Sequence, residues 1–341
     1  SAASDVYKRQ LLRYGTRMKN KLLYKLRSGK NPKFIYYSVN ALRLVIPKGI
    51  FRLRLQGKLS SLSRRKDKDY IERRVDYYNK LSGTVQLPSS APHLSEHKMS
   101  KQKVYFFDTY QYTRWFSDQF QWGFCPGDVT FVPDYPSIVK SRPLTDDIVN
   151  SIVMKLDKVR HFIFVDDKKA FTEKKNMVIF RGKVKGKPSR KLFMEMYFHH
   201  PMCDLGDVSK NTTDPAEWRT EKKTINEHLD YKFIMALEGI DVASNLKWVM
   251  SSNSIAVMPR PTCETWFMEG TLIPNYHYIE IKPDFSDLEE RLNYYIEHVD
   301  ESLEIIRHAH EYVSQFKDKR RENLISLLVL DKYFKMTGQK S

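Results

Sequence analysis

The sequence is short of cysteine, of long apolar runs and, at one end, of acid. Cys125, Cys203 and Cys263 are widely separated and form no Cys-x-x-Cys pair, which argues against a disulfide framework or a structural zinc site and favours a reducing compartment. No uninterrupted run of about 18 apolar residues occurs, so no segment is expected to span a bilayer. Nor does an apolar stretch follow the early basic residues as it would in a secretory leader, so a cytoplasmic location is expected. Acid is nearly missing from residues 1–68, where Asp5 and Asp67 stand against 19 of the 58 Lys and Arg; the whole formal charge of +17 falls there, and the other 273 residues are neutral. A neutral body has no general phosphate-neutralising face, which argues against nucleic acid wrapped around the protein. The basic segment instead points to an anionic membrane surface or an acidic macromolecule.

What is present suits a folded protein of about two domains: 41% hydrophobic and 13% aromatic residues supply a core. Leu11, Tyr14, Met18, Leu22 and Leu26 recur at helical spacing among Arg13, Arg17, Lys19, Lys21 and Lys25; Phe51, Leu55, Leu59 and Leu62 repeat the pattern among Arg52, Arg54 and Lys58. Both stripes suit an anionic headgroup layer, and equally a partner or the protein's own body. Residues 83–101 read as a polar, Pro- and Ser-containing linker. Strands are expected over 104–108, 129–132, 162–165, 178–180, 232–237, 255–258 and 278–281, with helices over 189–199 and 243–252 and a helical tail after Leu288. Alternating buried strands and helices predict an α/β fold with parallel sheets. The expected units are a basic segment over 1–68, lobes over 69–175 and 176–300, and terminal helices over 301–341.

Several chemistries lack their residues. The only Asp-x-Asp, Asp67-Lys68-Asp69, lies in the basic run, while Asp146-Asp147 and Asp166-Asp167 have the wrong spacing to share a divalent ion. His199-His200 and His308-x-His310 do not share a helix face, so no metal or cofactor is expected. The phosphate-loop signatures Gly-x-x-x-x-Gly-Lys-Ser/Thr and Gly-x-Gly-x-x-Gly are both missing. Two strand-turn-helix junctions remain as candidate anion sites: Arg181-Gly182 followed by Pro188-Ser189-Arg190, and Gly239 followed by Ser244 and Lys247. Spacing alone also fits plain turns.

The ordered series Phe180-Arg181-Gly182, Pro188-Ser189-Arg190, His200-Pro-Met-Cys-Asp204, Tyr231-Lys-Phe233, Glu238-Gly239, Ala243-Ser244, Lys247 and Tyr276-His-Tyr-Ile279 resembles glycosyltransferase family 90. It is most similar to the bacterial lipopolysaccharide group, through Tyr77-Tyr-Asn-Lys80, Leu156-x-Lys158-Val-Arg160-His-Phe162 and the segment 243–258. The resemblance implies two Rossmann-like lobes of the GT-B type and a UDP-sugar donor. It also implies metal-independent inverting transfer to a lipid-linked saccharide such as a lipopolysaccharide core, on the inner face of the cell membrane. In residue terms, it implies Asp134 of Val132-Pro133-Asp134-Tyr135-Pro136 as catalytic base, with Pro133 where the family has Arg. Arg181, Gly182, Arg190, Gly239, Ser244 and Lys247 would then hold the donor diphosphate. Apart from the resemblance, a carboxylate of the Cys263–Glu269 stretch, Glu264 ahead of Glu269, is expected on the ribose hydroxyls, although an exposed loop carboxylate equally suits no role. At the second junction Glu238 stands where the family often has Arg. A non-catalytic saccharide- or nucleic-acid-binding module using the basic arm is the other expectation.

Overall fold

The computed structural model of the chain describes residues 29–339; the stripe expected over Leu11–Leu26 lies outside them. Helices α1 (Lys33–Val45), α2 (Lys48–Ser60), α3 (Lys68–Tyr78) and α4 (Lys103–Thr113) precede a parallel sheet, β1 (Gly123–Cys125), β2 (Ser137–Val139) and β4 (Ser151–Val153), in the order β1-β2-β4. A short helix α5 (Lys158–His161) leads into β5 (Lys175–Gly182), α6 (Pro188–Tyr197), β6 (Cys203–Asp207), α7 (Ile225–His228), β7 (Tyr231–Met235), α8 (Leu246–Val249), β8 (Ile255–Met258) and β10 (Ile279–Glu280). These strands form a second parallel sheet in the order β10-β8-β7-β5-β6. Between the sheets, β3 (Ser141–Pro143) pairs antiparallel with β9 (Cys263–Thr265) and stitches the end of β2 to the chain after β8. The α/β expectation therefore holds.

The larger sheet is apolar on both faces, as parallel strands covered by helices must be. Because side chains alternate along a strand, Val178, Phe180, Phe233, Met235, Ile255 and Val257 face one core with α6 and α9 (Leu288–Glu297), while Ile179, Ile234, Ala236 and Ala256 face the other. That second core continues into the first sheet and the terminal helices α10 (Val299–Ser314) and α11 (Lys319–Met336). Residues after 301 are thus no separate unit: Val313, Leu324, Leu330 and Tyr333 are buried with Ile71, Tyr78, Ile138 and Ile152.

Several expected elements differ for identifiable reasons. Val104–Asp108 is helical, inside α4, where Tyr105, Phe106, Phe107 and Tyr112 are buried around the helix and erase its periodicity. Residues 129–132 and 162–165 form no strand, and the helix over 243–252 shrinks to α8. The stretch 83–101 is pinned as no linker would be: Val85 N–H donates to Met336 O at 2.7 Å and Leu94 N–H to Phe120 O at 2.8 Å. On α2, Leu55 and Leu59 are buried in the core, so the stripe begun by Phe51 packs on the body.

Glu322 on α11 joins the chain's distant parts. Buried, it accepts from Arg74 Nη2 of α3 at 3.1 Å, from Lys155 Nζ after β4 at 2.9 Å and from Trp266 Nε1 after β9 at 2.6 Å. Trp266 stacks on Tyr78 with ring centroids 3.9 Å apart. Removing one member of such a buried ionic cluster leaves charges unpaired out of water. Glu322→Ala is therefore expected to lower stability by about 3–5 kcal/mol, read from the urea midpoint; an unshifted midpoint would refute the linking role of Glu322.

Candidate functional site

Strand order in the larger sheet reverses between β5 and β7: β6 extends one way from β5, and β7, β8 and β10 the other. In open parallel α/β sheets, ligands sit outside the carboxyl ends of the strands at such a reversal. Two loops meet there, 183–187 after β5 and 236–245 after β7.

Arg190, in the first turn of α6, holds these loops together. Its guanidinium donates to Lys183 O at 3.0 Å, to Leu237 O at 2.7 Å and to Glu238 O at 3.0 Å. Its partners are carbonyls, and burial alone pulls its pKa down to about 10, with no carboxylate among the described residues acting on it. The charge is therefore fixed in place and uncompensated, in a segment, 181–191, that contains Arg181, Lys183, Lys185, Lys187 and Lys191 and no acid. Gly239 lies over this group: a Cβ there would approach Arg190 Nη2 to 3.5 Å. Gly182 is required at the end of β5 because a Cβ would lie 2.4 Å from the Phe180 ring, over which the Arg190 guanidinium sits at 5.6 Å. Sequence spacing thus identified three residues, Gly182, Arg190 and Gly239, that the fold brings together. Ser244 is exposed on the second loop.

Three expected donor contacts lie elsewhere, each with its charge already matched inside the protein. Arg181 turns to the neighbouring strand, paired with the Asp204 carboxylate and donating to Asp204 O at 2.7 Å. Lys247 is wholly buried on α8 and donates to Glu269 Oε1 at 2.5 Å. Glu264 is buried in β9, accepting from the Tyr77 hydroxyl and from Arg142 Nε at 2.7 Å. Arg181, Lys247 and Glu264 are thus each ion-paired within the protein.

Asp134 is exposed, but it lies three residues before β2, at the amino ends of the smaller sheet. Its neighbours are tied to that end: Asn150 Nδ2 donates to Pro133 O at 3.0 Å and the Tyr333 hydroxyl to Pro136 O at 2.9 Å. The carboxyl ends carry a different set. Lys140, buried just after β2, pairs with Asp128 after β1 and, at 2.6 Å, with Asp241 in the loop after β7. The carboxyl ends of both sheets thus meet at one ammonium. Arg160 on α5 adds pairs to Asp157 at 2.8 Å and to Asp128 at 3.5 Å. Burial pushes the Asp157 carboxyl up to about 6 and the His161 imidazole well below its ordinary range. Of the three carboxylates, Asp128 keeps 23% of its side chain open, against 7% for Asp157 and 3% for Asp241. The position of Asp128 is not legible in the sequence because the strand before it, β1, has three residues and shows no pattern; the available signal is the turn Pro126-Gly127-Asp128, whose Gly127 adopts a φ of 110°.

A strand-order reversal at which a fixed guanidinium has only carbonyl partners among the described residues suits an anionic ligand. The family model of glycosyl transferase family 90 matches residues 150–338, more than half of the chain, and the protein belongs to that family and is a glycosyltransferase. It is similar to a protein of Dichelobacter nodosus called O-glucosyltransferase LpsA, 38% identical over 267 residues that cover 78% of this chain and 83% of that one. Asp128 and Asp134 both precede the family-model span.

Arg190→Lys keeps a cation but not the planar fork that reaches three carbonyls. It is expected to raise amide hydrogen exchange in 183–187 and 236–245 together; loosening of one loop alone would show that Arg190 does not join them.

Proposed function

We propose that the protein transfers a hexose, with glucose the first candidate, from a UDP-sugar to a hydroxyl of a lipid-linked saccharide such as a lipopolysaccharide core, without a metal and with inversion. In this reading the chain is a GT-B-type enzyme whose donor sits on the larger sheet. The single observation that carries this reading is Arg190: an uncompensated guanidinium at the reversal point, beneath Gly239 and beside a loop of lysines. The name of the Dichelobacter relative supports glucose and a hydroxyl acceptor.

In the proposed step the acceptor oxygen attacks the anomeric carbon, its proton passes to Asp128, and the electrons of the breaking C–O bond leave with the UDP β-phosphate on the opposite face. Arg190 and Lys183, Lys185 and Lys187 meet the charge that grows on that phosphate, as preorganised cations do in a site without a metal. Asp128 takes the base role because it is the open carboxylate at the carboxyl ends of the first sheet, held by Lys140 and Arg160. The whole reaction takes place at the inner face of the cell membrane, where the acceptor's lipid anchors it.

Asp128→Asn should reduce kcat by about 10²–10⁴-fold, the usual contribution of a positioned base, and leave calorimetric UDP affinity within about twofold. Asp134→Asn should retain the wild-type rate; the reverse pattern would return the base role to Asp134. UDP release should proceed in excess chelator, and NMR of the product should show an inverted anomeric configuration.

A further inference from the structure

Helix α1 is inside out. Its polar residues at i, i+4 and i+7 face the protein: the Tyr36 hydroxyl donates to Asp108 Oδ1 at 2.8 Å, Asn40 is buried, and Arg43 Nη1 donates to Gln111 Oε1 at 2.9 Å. Its apolar residues face outward, with Phe34 82% exposed and Ile35, Val39, Leu42, Val45 and Ile46 exposed beside it. Beyond the Pro47 turn, Ile50 and Leu53, the latter 88% exposed, extend this apolar face onto α2. Contiguous exposed apolar surface on this scale marks a binding face.

We propose that α1, with Ile50 and Leu53, is the element that enters the headgroup layer of an anionic phospholipid bilayer. Charge selects lipid over another protein surface. No acid occurs between residues 29 and 66, and Lys33, Arg54 and Lys58 border the face with no carboxylate paired to them among the described residues. An apolar stripe bordered by Lys and Arg is the pattern of an interfacial helix, whose cations approach lipid phosphates while their stems lie along the apolar surface. No helix among the described residues is long and apolar enough to cross a membrane, so this contact is interfacial. The inference rests on the lipid-linked acceptor proposed above and adds which residues dock and how the site is presented. The Asp108 carboxylate that accepts from Tyr36 also accepts from Lys158 N–H at 3.0 Å, at the start of α5, which carries Arg160, the partner of Asp128. Asn31 Nδ2 adds a bond to Phe162 O at 3.1 Å. The docking face is thus tied directly to the segment holding the proposed base, and docking sets that base beside the membrane.

The test uses the full chain and vesicles of phosphatidylethanolamine and phosphatidylglycerol, with phosphatidylcholine vesicles as control. The triple variant Phe34→Asp, Leu42→Asp, Val45→Asp alters exposed positions and should reduce partitioning onto the anionic vesicles by about tenfold or more. Its UDP affinity and its transfer to a delipidated saccharide should stay at wild-type values. In a second variant, Leu42→Trp fluorescence should be quenched by brominated acyl chains. Wild-type vesicle binding by the triple variant, or no quenching, would overturn the proposal and leave docking to residues outside the described structure. So would a wild-type dimer that the triple variant breaks without loss of vesicle binding, since the face would then be covered by a second copy. Vesicle binding through α1 in a protein without UDP-sugar activity would sink the proposed donor and leave the docking face standing.

Discussion

The buried carboxylate of Glu322 is the constraint on which the arrangement of this chain depends. It receives one bond each from α3, from the segment after β4 and from the segment after β9, and it is itself carried by the last helix. None of these segments can shift alone without leaving Arg74, Lys155 or Glu322 unpaired away from water, a penalty much larger than that of losing a surface ion pair. Because β9 is also paired with β3, fixing Trp266 fixes how the end of β2 approaches the chain after β8. The meeting of the two sheets' carboxyl ends at Lys140 follows from that linkage, although Lys140 lies on neither helix nor strand.

At that meeting point two fixed cations are treated in opposite ways. Lys140 is matched by two carboxylates, so its field is spent on holding Asp128 and Asp241. Arg190 is matched by carbonyl dipoles alone, which orient it without neutralising it. An incoming anion would therefore be drawn to the Arg190 side. The two cations thus differ electrostatically before any substrate contact is considered. Asp157, raised to about 6 by burial, belongs to the buried framework around Lys140 and Arg160.

The parts of this fold legible in the sequence are those whose length lets a pattern repeat. Strands β5, β7 and β8 are long apolar runs, and α6 opens on Pro188, a residue suited to a first helical turn. The smaller sheet was illegible because its strands have three residues each and α4, buried all round, shows no moment. At the site, Gly182, Arg190 and Gly239 were found because a glycine after a strand and an arginine opening a helix have local causes. The ion pairs of Lys247 and Glu264 are not legible, because their partners, Glu269 and Arg142, depend on tertiary contacts that no local spacing reveals. The setting of Asp134 is not legible either: no strand forms over 129–132, and Asp134 lies before β2, while Asp128 follows β1.

Helix α1 shows how far local polarity can be from its use. Tyr36, Asn40 and Arg43 form the kind of stripe that ordinarily faces water, yet Asp108 and Gln111 on α4 supply the partners that draw it inward. Once inward, it leaves the apolar residues no place but the surface. The charge distribution then gives that surface a direction. Since the excess of +17 lies within residues 1–68 and the remaining chain is neutral, attraction to an anionic plane acts at one end of the molecule. At physiological ionic strength such attraction extends only about 8 Å, so in the docking proposed above the neutral body would add no competing contact and α1 would lead. Orientation would in this way be a property of where acid is missing.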